Sequence, residues 1–125
     1  MYTPENIEEL KEDEVFVFGS NMAGNHAGGA ARYAAEHFGA VEGVGEGLSG
    51  QTYAFPTLNK DFSKREIAQM IYSKAKLYHV AGENPDKTFL VTKVGMGIAG
   101  FTLEEMREVF AGHVPYNVIL PKEFS

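Results

Sequence analysis

VFVFGSNMAGNHAGGAARYAAEHFGA, residues 15–40, changes character twice. Val15-Phe16-Val17-Phe18 is a continuous apolar run of β-prone residues. It is too short for a helix and reads as a buried central strand. Gly19-Ser20-Asn21 stops it, and a glycine-rich loop follows. A helix is then expected over residues 28–37, with Ala30, Ala31, Ala34 and Ala35 as a small face for close packing on a sheet. Gly39 suits its C-terminal cap.

The same succession recurs in FLVTKVGMGIAGFTLEEMREVF, residues 89–110. A second apolar strand is expected over residues 88–94 and a glycine loop over 95–101. Thr102, with Glu105 three residues on, then caps a helix running to about residue 110. Between the two units, residues 41–50 are glycine-rich loop with room for a short strand. Residues 51–55 alternate as a strand that Pro56 ends. The longest helix is expected over residues 63–81. Ser63 and Glu66 form its capping box, and Ile67, Met70, Ile71, Lys74, Leu77 and Tyr78 share a face. A turn over 82–87 and a last strand over 114–120 follow. At the N-terminus, Thr3 and Pro4 suit the start of a short helix over residues 4–11. The order α-β-α-β-α-β-α-β implies an α/β fold. It reads as one domain, residues 1–125: a three-layer α/β/α sandwich with a mixed, mostly parallel sheet.

A chain of 125 residues is near the commonest domain size and sustains its own core. It has no cysteine, so disulfides and thiolate zinc sites are excluded. No pair of histidines has metal-ligand spacing, and no cofactor is called for. The acidic start, MYTPENIEELKEDE, is no signal peptide, and no apolar run approaches a membrane span. The cytoplasm is the expected compartment. A net charge of −6 argues against duplex nucleic acid as a partner, because that surface demands a basic face. It does not argue against a small phosphorylated ligand, which backbone N–H groups hold without lysine or arginine.

Of the 14 glycines, five lie between Gly19 and Gly39, four between Gly43 and Gly50, and three between Gly95 and Gly100. Ligands in open α/β sheets sit beyond the carboxyl ends of the strands. Two glycine loops at one sheet edge would face each other across a cleft that favours an anion. The cluster Gly45-Glu46-Gly47-Leu48-Ser49-Gly50 has GxGxxG spacing. A strand-like QTYAF follows it where the dinucleotide fingerprint needs a helix, so the Rossmann reading fails.

The two loops resemble the macro domain superfamily, whose members bind or hydrolyse ADP-ribose and its derivatives. The likeness is to a short single-domain member of bacterial or phage type. In that family a strand ends in asparagine, a glycine-rich loop follows and a helix begins; Asn21, Gly28-Gly29 and Ala30-Ala31 stand in this pattern. The family's second loop, Gly-Ile-Tyr-Gly-Phe, wraps the diphosphate. Gly97-Ile98-Ala99-Gly100-Phe101 matches it with alanine in place of tyrosine. The family's Gly-Asp-Ile step, whose aspartate holds adenine, has its nearest counterpart in Glu5-Asn6-Ile7. The resemblance implies an ADP-ribose-like ligand held by Asn6, by Ser20, Asn21, Gly28, Gly29 and Ala30, and by Gly95 and residues 97–101.

Several of these residues also have blander readings. Asn21 orients a distal ribose or caps its own loop. His26 acts as an acid or base near neutral pH, or is simply solvated. Phe101 stacks on a ligand ring or anchors its helix. Arg32 neutralises a phosphate or pairs with Glu36 four residues on. Glu46 and Asp61 are the only acids expected near the cleft, and nothing pairs them. Binding is therefore favoured over two alternatives. One is a hydrolase that removes ADP-ribose from a protein or nucleic acid, with Asn21 and His26 in the reaction. The other is a structural or protein-interaction domain without nucleotide affinity.

Overall fold

A computed structural model describes residues 1–125. The chain forms β1 (Glu14–Asn21), α1 (Gly29–His37), β2 (Gly47–Ser49), β3 (Thr52–Leu58), α2 (Ile67–Glu83), β4 (Thr88–Val91), α3 (Leu103–Val109) and β5 (Val118–Ile119). A single 3₁₀ turn, Lys122–Phe124, follows. The sheet order is β2-β3-β1-β4-β5. Only β2 is antiparallel to its neighbour; β3, β1, β4 and β5 pair in parallel. The fold is α/β with a mixed, mostly parallel sheet, as the alternation of elements implies.

Period-two alternation sorts β1 into two cores. Val15 and Val17 face one side, where they join Tyr53, Phe55, Met70, Leu77, Phe89, Val91 and Met106 beneath α2 and α3. Phe16 and Phe18 face the other, where they join Ala31, Ala34, Phe38 and Ala54 beneath α1. Helices thus cover both faces and make three layers. The alanine face of α1 does what its sequence implies: Ala34 is fully buried. No helix is long and apolar enough to cross a membrane.

Several boundaries differ from their sequence expectation, each for a non-local reason. Residues 4–11 are not helical. Thr3 is not a cap there: its N–H donates to Leu120 O at 2.9 Å and its hydroxyl to Ile119 O at 2.8 Å, tying the N-terminus to the far end of the chain. Strand β3 runs through Pro56 to Leu58. Its pairing with the antiparallel neighbour β2 reaches only as far as Ala54, opposite Gly47, so the missing N–H of Pro56 breaks no ladder bond on that edge. Ser63 does not start α2. It closes a turn in which its N–H and hydroxyl both donate to Asp61 Oδ1, at 3.1 and 2.6 Å. The helix begins after Glu66, whose N–H is capped by Gln69 Oε1 at 2.9 Å. Its buried face is Met70, Ser73, Leu77 and Ala81, and Ile71 is exposed. Strands β4 and β5 are shorter than the apolar runs that contain them. By contrast α3 is capped as its sequence implies, with Glu105 N–H donating to Thr102 Oγ1 at 3.1 Å and Thr102 N–H to Glu105 Oε1 at 2.8 Å.

Candidate functional site

The chain leaves β1 toward β3 by way of α1, and leaves β4 toward β5 by way of α3. Strands β1 and β4 are adjacent and parallel, so their two outgoing connections diverge in opposite directions. A divergence of this kind opens a crevice at the carboxyl edge of the sheet, where α/β proteins bind ligands. A cleft of about 460 Å³ lies there. Thr92, the first residue past β4, ties the end of that strand to the middle of β1: its hydroxyl and N–H both donate to Val17 O, at 2.7 and 3.1 Å.

The cleft brings together most of the residues singled out in the sequence. Ser20, Asn21, Gly28, Gly29 and Ala30 line it from the first loop, and Gly95, Gly97, Ile98 and Ala99 from the second. The amides of Gly97, Ile98 and Ala99 donate to no acceptor within the protein. Successive free N–H groups form an anion-binding concavity. At the start of α1 the first intrahelical bond is Arg32 N–H to Gly28 O at 3.2 Å, so the amides before Arg32 have no helical partner. Gly28 and Gly97 have open space where a side chain would begin. Lys93 is the only charged side chain in the lining. Glu5 at 2.7 Å and Glu123 at 3.0 Å hold its ammonium, raising its pKa above the ordinary lysine value. In a chain of net charge −6, the cleft lining carries no carboxylate to repel an anionic guest.

Other expected residues lie elsewhere. Asn6 lines a neighbouring cavity of about 380 Å³ with Ile7, Phe16 and Tyr33, and that cavity shares Ala30 and Thr92 with the main cleft. His26 is not solvated. It is 5% exposed, stands edge-on to Phe18 at 5.4 Å, and its backbone N–H donates to Glu42 Oε2 at 3.0 Å. Its ring Nε2 lies 3.3 Å from Val44 O. The residue braces the first loop against residues 42–44 and does not line the cleft. Phe101 is a buried anchor within the core, with Lys64 Nζ 4.5 Å from its ring centre. Gly100 does not line the cleft either.

Glu46 turns toward α2, where Oε1 lies 3.5 Å from Lys76 Nζ. Its charge adds to the effect of burial on Tyr53, whose phenol is pushed up to about 12. Asp61 is spent on Ser63, whose hydroxyl holds its carboxyl below the usual range. Neither acid lines the cleft. Arg32 pairs with Glu36 on the surface at 3.4 Å.

Two polar side chains in the lining are already engaged. Asn21 Oδ1 accepts Asn25 N–H, and its Nδ2 donates to Asn25 O, both at 3.0 Å. The side chain therefore caps its own loop while it borders the cleft. The Ser20 hydroxyl donates to Gly45 O at 2.6 Å. Sequence reasoning misses the wall formed by Thr57 and Leu58 at the end of β3 and by Phe62 beyond it, because a proline such as Pro56 reads as the end of a strand. The available signal was a single aromatic inside the polar run Asn59-Lys60-Asp61-Phe62-Ser63-Lys64.

Comparison of the chain with family models, with curated proteins and with solved structures finds no match.

Proposed function

We propose that the cleft binds a nucleotide diphosphate of the ADP-ribose type, and that the chain is a macro-like binding module. The observation that carries this reading is that Gly97, Ile98 and Ala99, whose amides have no acceptor within the protein, line one crevice together with the start of α1. Fixed N–H dipoles of this sort hold phosphate oxygens without a counter-charge. The cavity beside Asn6 and Tyr33, about 380 Å³, has room for a base, and its shared border at Ala30 and Thr92 lets one ligand span both spaces. Asn6 both donates and accepts hydrogen bonds, as an adenine edge requires. The cleft lining holds neither carboxylate nor histidine to act as a general base, which favours binding over hydrolysis.

Calorimetric titration with ADP-ribose, beside AMP, tests the reading. Micromolar binding of ADP-ribose, tighter than AMP, is the expected outcome. Equal binding of the two removes the diphosphate from the argument. No heat with either overturns the nucleotide reading and leaves the fold untouched.

A further inference from the structure

Phe62 is the only residue other than glycine with a left-handed backbone, at φ 67°. That conformation is uncommon for an aromatic side chain and costs free energy unless its surroundings impose it. Here they do. Phe62 N–H donates to Asn59 O at 3.0 Å, Asn59 N–H to Ser63 O at 2.8 Å, and Asn59 Nδ2 to Ser63 Oγ at 3.0 Å. Leu58 and Lys64 bridge the base of the turn. The ring is not used in the core: Phe62 is 52% exposed, and it lines the cleft. Ile98, on the loop after β4, lines the same cleft and is 92% exposed. Phe62 follows β3 and Ile98 follows β4, the two strands that flank β1. The cavity of Asn6 borders the cleft at Ala30 and Thr92, and Phe62 lines the cleft but not that cavity.

We infer that Phe62, together with Ile98, grips a second planar ring carried beyond the diphosphate, so that the preferred ligand is a dinucleotide. This rests on the nucleotide reading of the cleft and adds to it the identity of the ligand's far end. The diphosphate lies on the free amides, the first base lies beside Asn6, and the second ring stacks on Phe62. An aromatic face offers a ring substantial, sequence-tolerant stacking affinity. A cationic ring such as nicotinamide gains further from the negative face of the phenyl group.

The test compares NAD with ADP-ribose, which share everything except the nicotinamide ring, on wild type, Phe62→Ala and Phe62→Trp. Thermal unfolding of each variant serves as the folding control. Wild type is expected to bind NAD about tenfold more tightly than ADP-ribose. Phe62→Ala should erase that difference by weakening NAD more than ADP-ribose, whereas Phe62→Trp should preserve it. Three outcomes overturn the inference while the nucleotide reading stands: NAD no tighter than ADP-ribose, both ligands weakened alike by Phe62→Ala, or the difference surviving it. Failure of wild type to bind either ligand removes both readings together.

Discussion

Glycines do opposite jobs in two regions of this chain. In the seam between residues 39 and 50 and the first loop, backbone packs on backbone. A Cβ on Gly45 would lie 2.6 Å from Asn21 O and 2.8 Å from Met22 O, and one on Gly50 would lie 2.5 Å from Gly39 O. Around the cleft, a Cβ on Gly28 or Gly97 would meet no atom within 4 Å. The seam glycines are required by the fold. Gly28 and Gly97 are not required by internal packing, so the space they leave is available to a guest, whereas Gly95, also in the lining, would set a Cβ 2.8 Å from Met106 Sδ. The two regions also meet physically: the Ser20 hydroxyl, in the cleft wall, is held by Gly45 O.

The largest expected effect tests the seam. Gly45→Ala forces a methyl group into two carbonyl oxygens that belong to the end of β1 and its loop. Overpacking against backbone costs about 3 kcal/mol, a fall of roughly 10 °C in the unfolding midpoint for a domain this size. A midpoint within about 2 °C of wild type would show that the seam yields, and the contrast between the two regions would collapse.

Gly97→Val tests the other half. The side chain has room, so the unfolding midpoint should stay near that of wild type. It would stand in the space beside three free amides and displace a bound diphosphate. Losing one charge-assisted hydrogen bond costs about 1.5–3 kcal/mol, or roughly 10- to 150-fold in ADP-ribose affinity, by titration. Unchanged affinity would place the phosphates elsewhere. Gly100 is a poor substitute for this experiment: its φ of 73° strains any side chain, so lost binding there would not separate the site from the fold.

The parts of the fold that read correctly from sequence are those decided within a few residues. Val15-Phe16-Val17-Phe18 has one plausible conformation, and Thr102 with Glu105 is a complete local cap. The parts that misread were decided by distant partners. Thr3 looks like a helix cap until Leu120 and Ile119 accept its hydrogens. Ser63 looks like one until Asp61 takes both its donors. His26 looks like a solvated loop residue until Glu42 and Phe18 enclose it. The candidate site follows the same division. Its glycines and Asn21 are legible because a strand, a glycine loop and a helix are contiguous in sequence. Phe62 is not, because its left-handed backbone runs against the preference of its residue type and is imposed by the turn around it.

The smallest expected effect concerns how the second loop is held. The first loop is braced by side chains: Asn21 grips Asn25, and Glu42 grips His26. The second is held mainly by its own backbone, with Phe101 N–H donating to Gly95 O at 2.9 Å and Gly100 N–H to Gly97 O at 3.0 Å, by Lys64 Nζ donating to Gly100 O at 3.2 Å, and by the cap that follows. Thr102→Ala should cost about 1 kcal/mol of stability without touching the free amides. The cap carries a pH signature. The Thr102 N–H holds the Glu105 carboxyl below the usual carboxylate range, so folding favours its ionised form. That contribution is fully present above the unfolded value of about 4.3 and is lost as pH falls through the lower folded value. A glutamine keeps the acceptor oxygen and removes the titration. The midpoint difference between wild type and Glu105→Gln should therefore be largest near neutrality and shrink as pH is taken toward about 3. If the difference is flat across that range, the carboxylate charge at Glu105 adds nothing to the cap, and the second loop rests on its backbone bonds, the Lys64 contact at Gly100 O and the Thr102 hydroxyl.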